Sequence, residues 1–394
     1  MNLTIEKLVY GGAGLSRVDG QVVLTPFVLP GEEVRADLEK TSSGVQRARL
    51  QEVLRGSSDR VAPPCPYFGR CGGCHYQHAE YAAQVEIKRG ILAETLRRVG
   101  KLEPPASIGV ITGEPWGYRN RAQFHIRERQ LGYLEMGSHK LCAIEKCPIS
   151  SPKINECIGI LRKMLKNARW PKFVTSIEIF TNETEVQLNV RETSQPVARR
   201  FFEWCEKEIP GMVPGALEYE GFQVSGESFY QVNRFLDTRL VEAAIGGAVG
   251  TSALDLYAGV GLFSLSLAKK FGHVTAVESG IGAIRDCKAN AVKAGVELNA
   301  VAMSVDDYLR TLDAPPDFVL ADPPRSGLGK TAVARLMELQ PARITVVSCD
   351  PSTLARDLAG LLAGGFELDE LTMVDLFPQT FHIEAVAKLH RSLP

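Results

Sequence analysis

The chain predicts an α/β fold joined to β structure: a doubly wound C-terminal domain preceded by a small β-barrel and a mixed α+β region. Three observations carry this prediction. From about residue 229 the sequence alternates between β-branched runs and amphipathic stretches, the pattern of a parallel sheet covered by helices. The first 55 residues break into short apolar runs separated by glycine turns. Between them, strand-like and helix-like segments alternate irregularly behind a cysteine-rich loop.

At 394 residues the chain is long enough for two or three domains, and 45% hydrophobic content with a net charge of -1 describes a globular protein. No apolar run approaches the roughly 20 residues that span a bilayer. The start, Met1-Asn2-Leu3-Thr4-Ile5-Glu6-Lys7, lacks the basic head and apolar core of a secretory signal. A cytoplasmic monomer without a membrane partner is expected. Nine cysteines, three of them between Cys65 and Cys74, point to metal binding and catalysis rather than to a disulfide framework. With almost no net charge, binding of nucleic acid would rest on local basic patches such as residues 79–130 and 153–207.

Taken in order, the first elements are strands at Leu3–Leu8, Gly20–Phe27, Glu33–Lys40 and Val45–Leu54. They are punctuated by Gly11-Gly12, Asp19-Gly20 and Pro30-Gly31. So many short strands in 55 residues suit a small barrel of the oligonucleotide-binding type. Residues 56–80 read as loop. Tyr81, Val85, Leu92, Leu96 and Val99 then recur at helical spacing over 81–99. Ile154–Asn167 and Val197–Glu208 read as helices. Ile177–Phe180 and Glu185–Val190 read as a hairpin turning at Thr181-Asn182-Glu183-Thr184. The last domain supplies strands at Ala253–Tyr257, Val274–Glu278, Phe318–Ala321 and Ile344–Cys349, with a helix over Phe263–Phe271.

Each of those strands delivers chemistry to its carboxyl end, where open α/β sheets bind ligands. The first ends in Tyr257-Ala258-Gly259-Val260-Gly261, a loop whose glycines let backbone approach a ligand. A nicotinamide fingerprint wants a third glycine, but Ser264 stands there. Glu278 ends the second strand and suits the two hydroxyls of a ribose. Nothing requires a diphosphate, so S-adenosylmethionine fits better than a dinucleotide. The third strand ends in Asp322-Pro323-Pro324-Arg325 and the fourth in Cys349, followed by Asp350-Pro351. By itself Cys349 could be a small buried hydrophobe. Beside two carboxylates and a cofactor loop it reads as a nucleophile. Methylation at C5 of a uracil needs such a group. A thiolate added at C6 makes C5 nucleophilic, and a base must afterwards take the C5 proton so that the thiolate can leave. Cys349 and Glu384 answer these two needs.

The run Ser348-Cys349-Asp350-Pro351-Ser352-Thr353-Leu354-Ala355-Arg356-Asp357 resembles the nucleophile motif of RNA uracil-5-methyltransferases. Phe377-Pro378-Gln379-Thr380 with His382 and Glu384 is similar to that family's base motif. Phe229-Tyr230-Gln231-Val232-Asn233 is similar to its cofactor-entry motif. The resemblance implies a Rossmann-like methyltransferase domain, with Cys349 as nucleophile and Glu384 as base. It implies that Gln231, Tyr257, Glu278 and Asp322 contact S-adenosylmethionine, and Gly259, Gly261 and Ser304 complete the expected cofactor set. Asp350 departs from the more usual asparagine, Gln379 from a common histidine, Leu262 from a polar residue, and Ser304 from an Asp or Asn. None of these removes a reacting group.

Cys65-x5-Cys71-x2-Cys74 places three thiols in one loop. Cys147, followed by Pro148 as Cys65 is by Pro66, is the expected fourth ligand, with Cys142 as its rival. The ribosomal-RNA branch of the same family resembles this arrangement and implies a [4Fe-4S] cluster; zinc could use the same thiols. The expected organisation is a barrel like the TRAM domain over 1–55, a central iron–sulfur and RNA-binding domain over 56–228, and the methyltransferase domain over 229–394. The helix at 81–99 is expected to pack on the last of these. Arg119 and Arg121 are expected to grip RNA, most naturally 23S ribosomal RNA, with the tRNA T-loop as the alternative. A DNA cytosine-5 enzyme is disfavoured because Ser348, not proline, precedes the cysteine. A non-catalytic iron–sulfur RNA-binding protein is the remaining alternative.

Overall fold

The computed structural model describes residues 1–39 and 44–392. Lys40, the last residue of the expected third strand, and the final two residues of the 229–394 domain lie outside the described residues. No helix among those described is long and apolar enough to cross a membrane.

Six strands form the N-terminal sheet, in the spatial order Asn2–Thr4, Glu33–Glu39, Gln46–Arg55, Gln21–Pro26, Ala13–Val18, Lys7–Leu8. The expected strand Leu3–Leu8 is split at Ile5-Glu6. Its two halves become the opposite edges of the sheet, so the sheet must curl until its edges lie two residues apart. The curl encloses Leu3, Ile5, Val23, Val28, Val34 and Ala36, all buried. Ala13–Val18 was not expected as a strand, because its apolar content is broken by Gly14, Ser16 and Arg17. Gly14 is required there: a Cβ would stand 2.3 Å from Val28 Cγ2.

The helix Tyr81–Thr95 follows the cysteine loop and widens into one π-helical turn, Leu96–Gly100. Its Leu92 and Leu96 enter the same apolar core as Leu354 and Leu358 of the helix Pro351–Ala363. The central region is a five-stranded antiparallel sheet ordered Leu141–Ala143, Gln130–Leu134, Arg121–Arg127, Val174–Thr181, Val186–Thr193. The helices Pro152–Met164 and Arg199–Glu208 share its core through Ile154, Leu161, Phe201 and Trp204.

The C-terminal sheet has eight strands, in the order Asn299–Ala302, Phe271–Glu278, Gly250–Leu256, Phe318–Ala321, Arg343–Ser348, Glu384–Arg391, Phe366–Val374, Gly109–Ile111. All neighbours run parallel except where Glu384–Arg391 pairs antiparallel with the strand on either side. The eighth strand comes from far upstream and caps an edge that would otherwise present unpaired amides. The helix expected over Phe263–Phe271 shortens to Ser264–Leu267, and the following strand begins at Phe271. A four-residue helix has little dipole to offer an anion, which agrees with a ligand that carries no diphosphate.

Candidate active site

The register of the sheet brings the expected site residues into one row. Glu278, Tyr257, Asp322 and Cys349 lie at the carboxyl ends of successive strands, each at the strand end or one residue past it. Glu384 comes from the other chain direction, but it opens an antiparallel strand and so joins the same edge. Ser348 is opposite Ala385, which sets Cys349 beside Glu384. The residues expected to hold the cofactor thus occupy one half of the row, and those expected to react the other.

On the cofactor side, Tyr257 adopts a left-handed conformation with φ 63° and Gly261 one with φ 92°. A Cβ on Gly261 would meet Leu265 Cδ1 at 2.9 Å and Cys287 Sγ at 3.0 Å, so only glycine fits. Gly259, φ 54°, has open space where a Cβ would stand, as a ligand-facing glycine should. The Glu278 carboxylate is held in place by the N–H of Gly280 at 2.7 Å and that of Gly259 at 3.3 Å. Gln231 is buried, and its backbone carbonyl accepts from the Asn120 side chain at 3.1 Å. Residues 257–261 and Glu278 therefore fit the adenosyl portion of S-adenosylmethionine. Ser304 is committed elsewhere. It caps the helix Val305–Arg310, accepting from Asp307 N–H and donating to the Asp307 carboxylate at 2.7 Å.

On the reacting side, burial pushes the Cys349 thiol up to about 11; the Glu384 and Asp322 carboxylates push the same way, and the Arg325 guanidinium opposes them. Burial holds Glu384 well above the ordinary carboxylate range, and the charge of Asp322 adds to this. Burial also raises Asp322. Burial thus favours the protonated forms of Cys349, Glu384 and Asp322. Asp350 caps the helix Pro351–Ala363, accepting from Ser352 and Thr353 N–H at 2.9 and 3.0 Å. Asn caps helices equally well, which accounts for this substitution within the motif.

The loop leading to Glu384 is clamped from outside its own domain. The Gln379 carbonyl accepts from His75 and Tyr76 N–H at 2.8 and 3.0 Å. Gln379 and Gln84 exchange two hydrogen bonds at 3.0 Å, one from the Gln379 backbone N–H and one to its side-chain oxygen. Lys88, fully buried, donates to Asp375 at 2.6 Å and to the Phe377 carbonyl at 2.8 Å. Tyr118 donates to the Pro378 carbonyl at 3.0 Å. His75 and Tyr76 directly follow Cys74, so the cysteine loop and the base loop are mechanically joined.

Cys65, Cys71, Cys74 and Cys147 all line one cavity of about 70 Å³, together with Phe68, Tyr133 and Arg119. Among the described residues, no three His, Cys, Asp or Glu side chains are grouped closely enough to hold a single metal ion. Cys142 is fully buried, and its sulfur accepts from Arg70 Nε at 3.3 Å.

The expectation that Arg119 and Arg121 grip RNA is not met. Arg121 is buried, paired with Glu178 at 2.9 Å, bonded to the Ser228 carbonyl at 2.9 Å, and stacked 4.9 Å over Phe180. Arg119 lines the cysteine cavity with its Nε buried and unpartnered. The alternation of Arg119, Asn120 and Arg121 gave no sign that both faces of the strand would be covered. Four residues of the reacting half escaped the sequence reading of the site: Tyr10, Gln84, Lys88 and Phe381. Only Lys88 carried a signal, a charge on the apolar side of an amphipathic helix.

Residues 216–392 match the family model described as tRNA (uracil-5-)-methyltransferase. An RNA methyltransferase of Aquifex aeolicus is 32% identical to the chain, over 99% of this chain and 98% of its own length. The 23S rRNA (uracil(1939)-C(5))-methyltransferase of Halomonas elongata is 32% identical, over 98% and 89%. Among solved structures, the tRNA (uracil-54, C5)-methyltransferase of Pyrococcus abyssi, in complex with S-adenosyl-L-homocysteine, superposes with a TM-score of 0.77 at 25% identity, over 99% of this chain and all of that one.

Proposed function

The chain belongs to the S-adenosylmethionine-dependent RNA uracil-5-methyltransferases, and from that premise we propose that it methylates C5 of a uridine in 23S ribosomal RNA through a covalent bond between Cys349 and C6 of the base. The observation that carries this reading is the row of Glu278, Tyr257, Asp322, Cys349 and Glu384 along one sheet edge. Bound S-adenosylmethionine supplies an electrophilic methyl group and leaves as S-adenosylhomocysteine. Glu278 and the 257–261 loop bind its adenosyl part, and Gln231 and Asp322 orient its methionyl part. The Cys349 thiol gives up its proton and the thiolate forms a bond to C6, turning the uracil into an enolate whose C5 takes the methyl group. Glu384, as carboxylate, then removes the C5 proton; the C5–C6 double bond reforms and the C6–S bond breaks. The base must leave its stack for Cys349 to reach C6.

Ribosomal RNA is favoured by the Halomonas relative, which matches nearly end to end. A tRNA T-loop uridine is the second reading, favoured by the likeness of fold to the Pyrococcus tRNA enzyme. The N-terminal β domain acts as a TRAM-like RNA-binding module, and the enzyme works as a cytoplasmic monomer. Cys65, Cys71, Cys74 and Cys147 hold a [4Fe-4S] cluster. The four thiols line one cavity, and a cluster would take one thiolate at each iron.

RNA containing 5-fluorouridine tests the mechanism, because fluorine at C5 cannot leave as a proton and traps the adduct. Wild-type protein should form a band stable in denaturing gel, and Cys349→Ala should form none. Glu384→Gln should accumulate the adduct with ordinary uridine after one methyl transfer. Adduct formation by Cys349→Ala would remove the nucleophile assignment. Mapping 5-methyluridine in RNA from a deletion strain separates the two RNA targets.

A further inference from the structure

The turn Val9–Gly12 of the N-terminal β domain packs against the catalytic loop. Gly12 has φ +87°, and a Cβ there would stand 3.1 Å from His75 Cβ, so this turn and the cysteine loop meet at contact distance. Tyr10, at the tip of the turn, sets its ring 5.5 Å from that of Phe381, edge to face at 88°. Phe381 lies three residues before Glu384, and its ring is 4.5 Å from the His75 imidazole. Burial raises the Tyr10 phenol, and the charge of Asp350 adds to this. Both Tyr10 and Phe381 are half-buried, so part of each ring stays accessible beside the loop that leads to Glu384.

A base drawn out of RNA loses its stacking partners, and enzymes that act on such bases replace them with aromatic side chains. We propose that Tyr10, paired with Phe381, forms the wall that holds the extruded uracil ring against Cys349, so that the N-terminal β domain completes the active site as well as docking RNA. This rests on Cys349 being the nucleophile toward a flipped uracil. Tyr10 is then a positioning residue: it acts on the bound nucleotide, after RNA has docked.

The test uses full-length protein, 5-fluorouridine RNA and S-adenosylmethionine, both saturating, in a single turnover. Loss of one base–aromatic contact should slow adduct formation by Tyr10→Ala about 5- to 100-fold. Tyr10→Phe should restore the rate to within a few-fold, and RNA affinity and thermal midpoint should stay near wild type in both. If the alanine variant is less stable, Tyr10→Leu carries the measurement, since it keeps the apolar contact with Phe381 but offers no aromatic face. A wild-type rate in Tyr10→Ala, or an effect confined to RNA affinity, overturns the inference. Failure of phenylalanine to rescue also overturns it. Absence of adduct with wild-type protein overturns the Cys349 assignment instead, and this inference falls with it.

Discussion

At the scale of single residues, the proposed chemistry turns on two groups that burial holds toward their protonated forms. The proposed reaction needs Cys349 as thiolate and Glu384 as carboxylate, yet burial raises both. The deprotonated forms are the active ones, so the rate of adduct formation should climb with pH, approaching tenfold per unit below the thiol value of about 11. Arg325 lowers that value, so Arg325→Met should move the whole profile to higher pH. A profile that is flat from neutral pH upward, or one that Arg325→Met leaves in place, would count against thiolate attack in this environment. Cys349 itself was legible because Asp350-Pro351 follows a β-branched strand, a local pattern. Tyr10 was not, because nothing within the N-terminal domain distinguishes a turn tyrosine that faces water from one that faces a nucleophile some 340 residues later in the chain.

Among the elements, the base loop depends most on others. The Lys88–Asp375 pair is fully buried and joins the helix Tyr81–Thr95 to that loop. Removing one partner of such a pair strands a charge, at a cost of about 3–5 kcal/mol. Lys88→Met should therefore lower unfolding free energy by that amount in denaturant titrations, and Lys88→Met with Asp375→Leu should recover much of it. Equal losses in the single and double variants would mean that the pair is not what binds helix to loop. Four strands of the C-terminal sheet, Gly250–Leu256, Phe271–Glu278, Phe318–Ala321 and Arg343–Ser348, were legible from their apolar runs, whereas Asn299–Ala302, Phe366–Val374, Glu384–Arg391 and Gly109–Ile111 were not. The split of Leu3–Leu8, the strand at Ala13–Val18 and the burial of Arg121 were not. Each depends on a partner distant in sequence: Glu33–Glu39 for the first, Gln21–Pro26 for the second, Glu178 for the third.

Over the whole molecule, the cysteine cavity and the active site share a wall, because His75 and Tyr76 hold the Gln379 carbonyl. Anaerobically purified protein should be brown, with about four irons per chain for a cubane cluster. Serine at Cys65, Cys71, Cys74 or Cys147 should remove the colour, and Cys142→Ser should retain it. Stoichiometric zinc without sulfide would reverse the metal assignment. Since the loop behind Glu384 rests on the cysteine loop, cluster-free protein should also release its RNA adduct slowly while binding S-adenosylmethionine normally. Undisturbed release would show that the two loops hold their shape independently.

The eighth strand, Gly109–Ile111, sets a timetable for synthesis. It leaves the ribosome early, but its partner, Thr372–Val374, follows about 260 residues later, a wait of about 13–50 s at ordinary elongation rates. Through that interval the segment 81–111, including the buried half-pair Lys88, lacks its partners in the helix Pro351–Ala363 and the strand Phe366–Val374. The antiparallel central region can fold while the chain is still growing, but the catalytic domain cannot close until its last strands arrive. The nascent enzyme therefore carries an amphipathic helix with part of its apolar face uncovered for most of its birth, and a chain stopped short of Val374 would leave that face as a lasting point of attachment for chaperones.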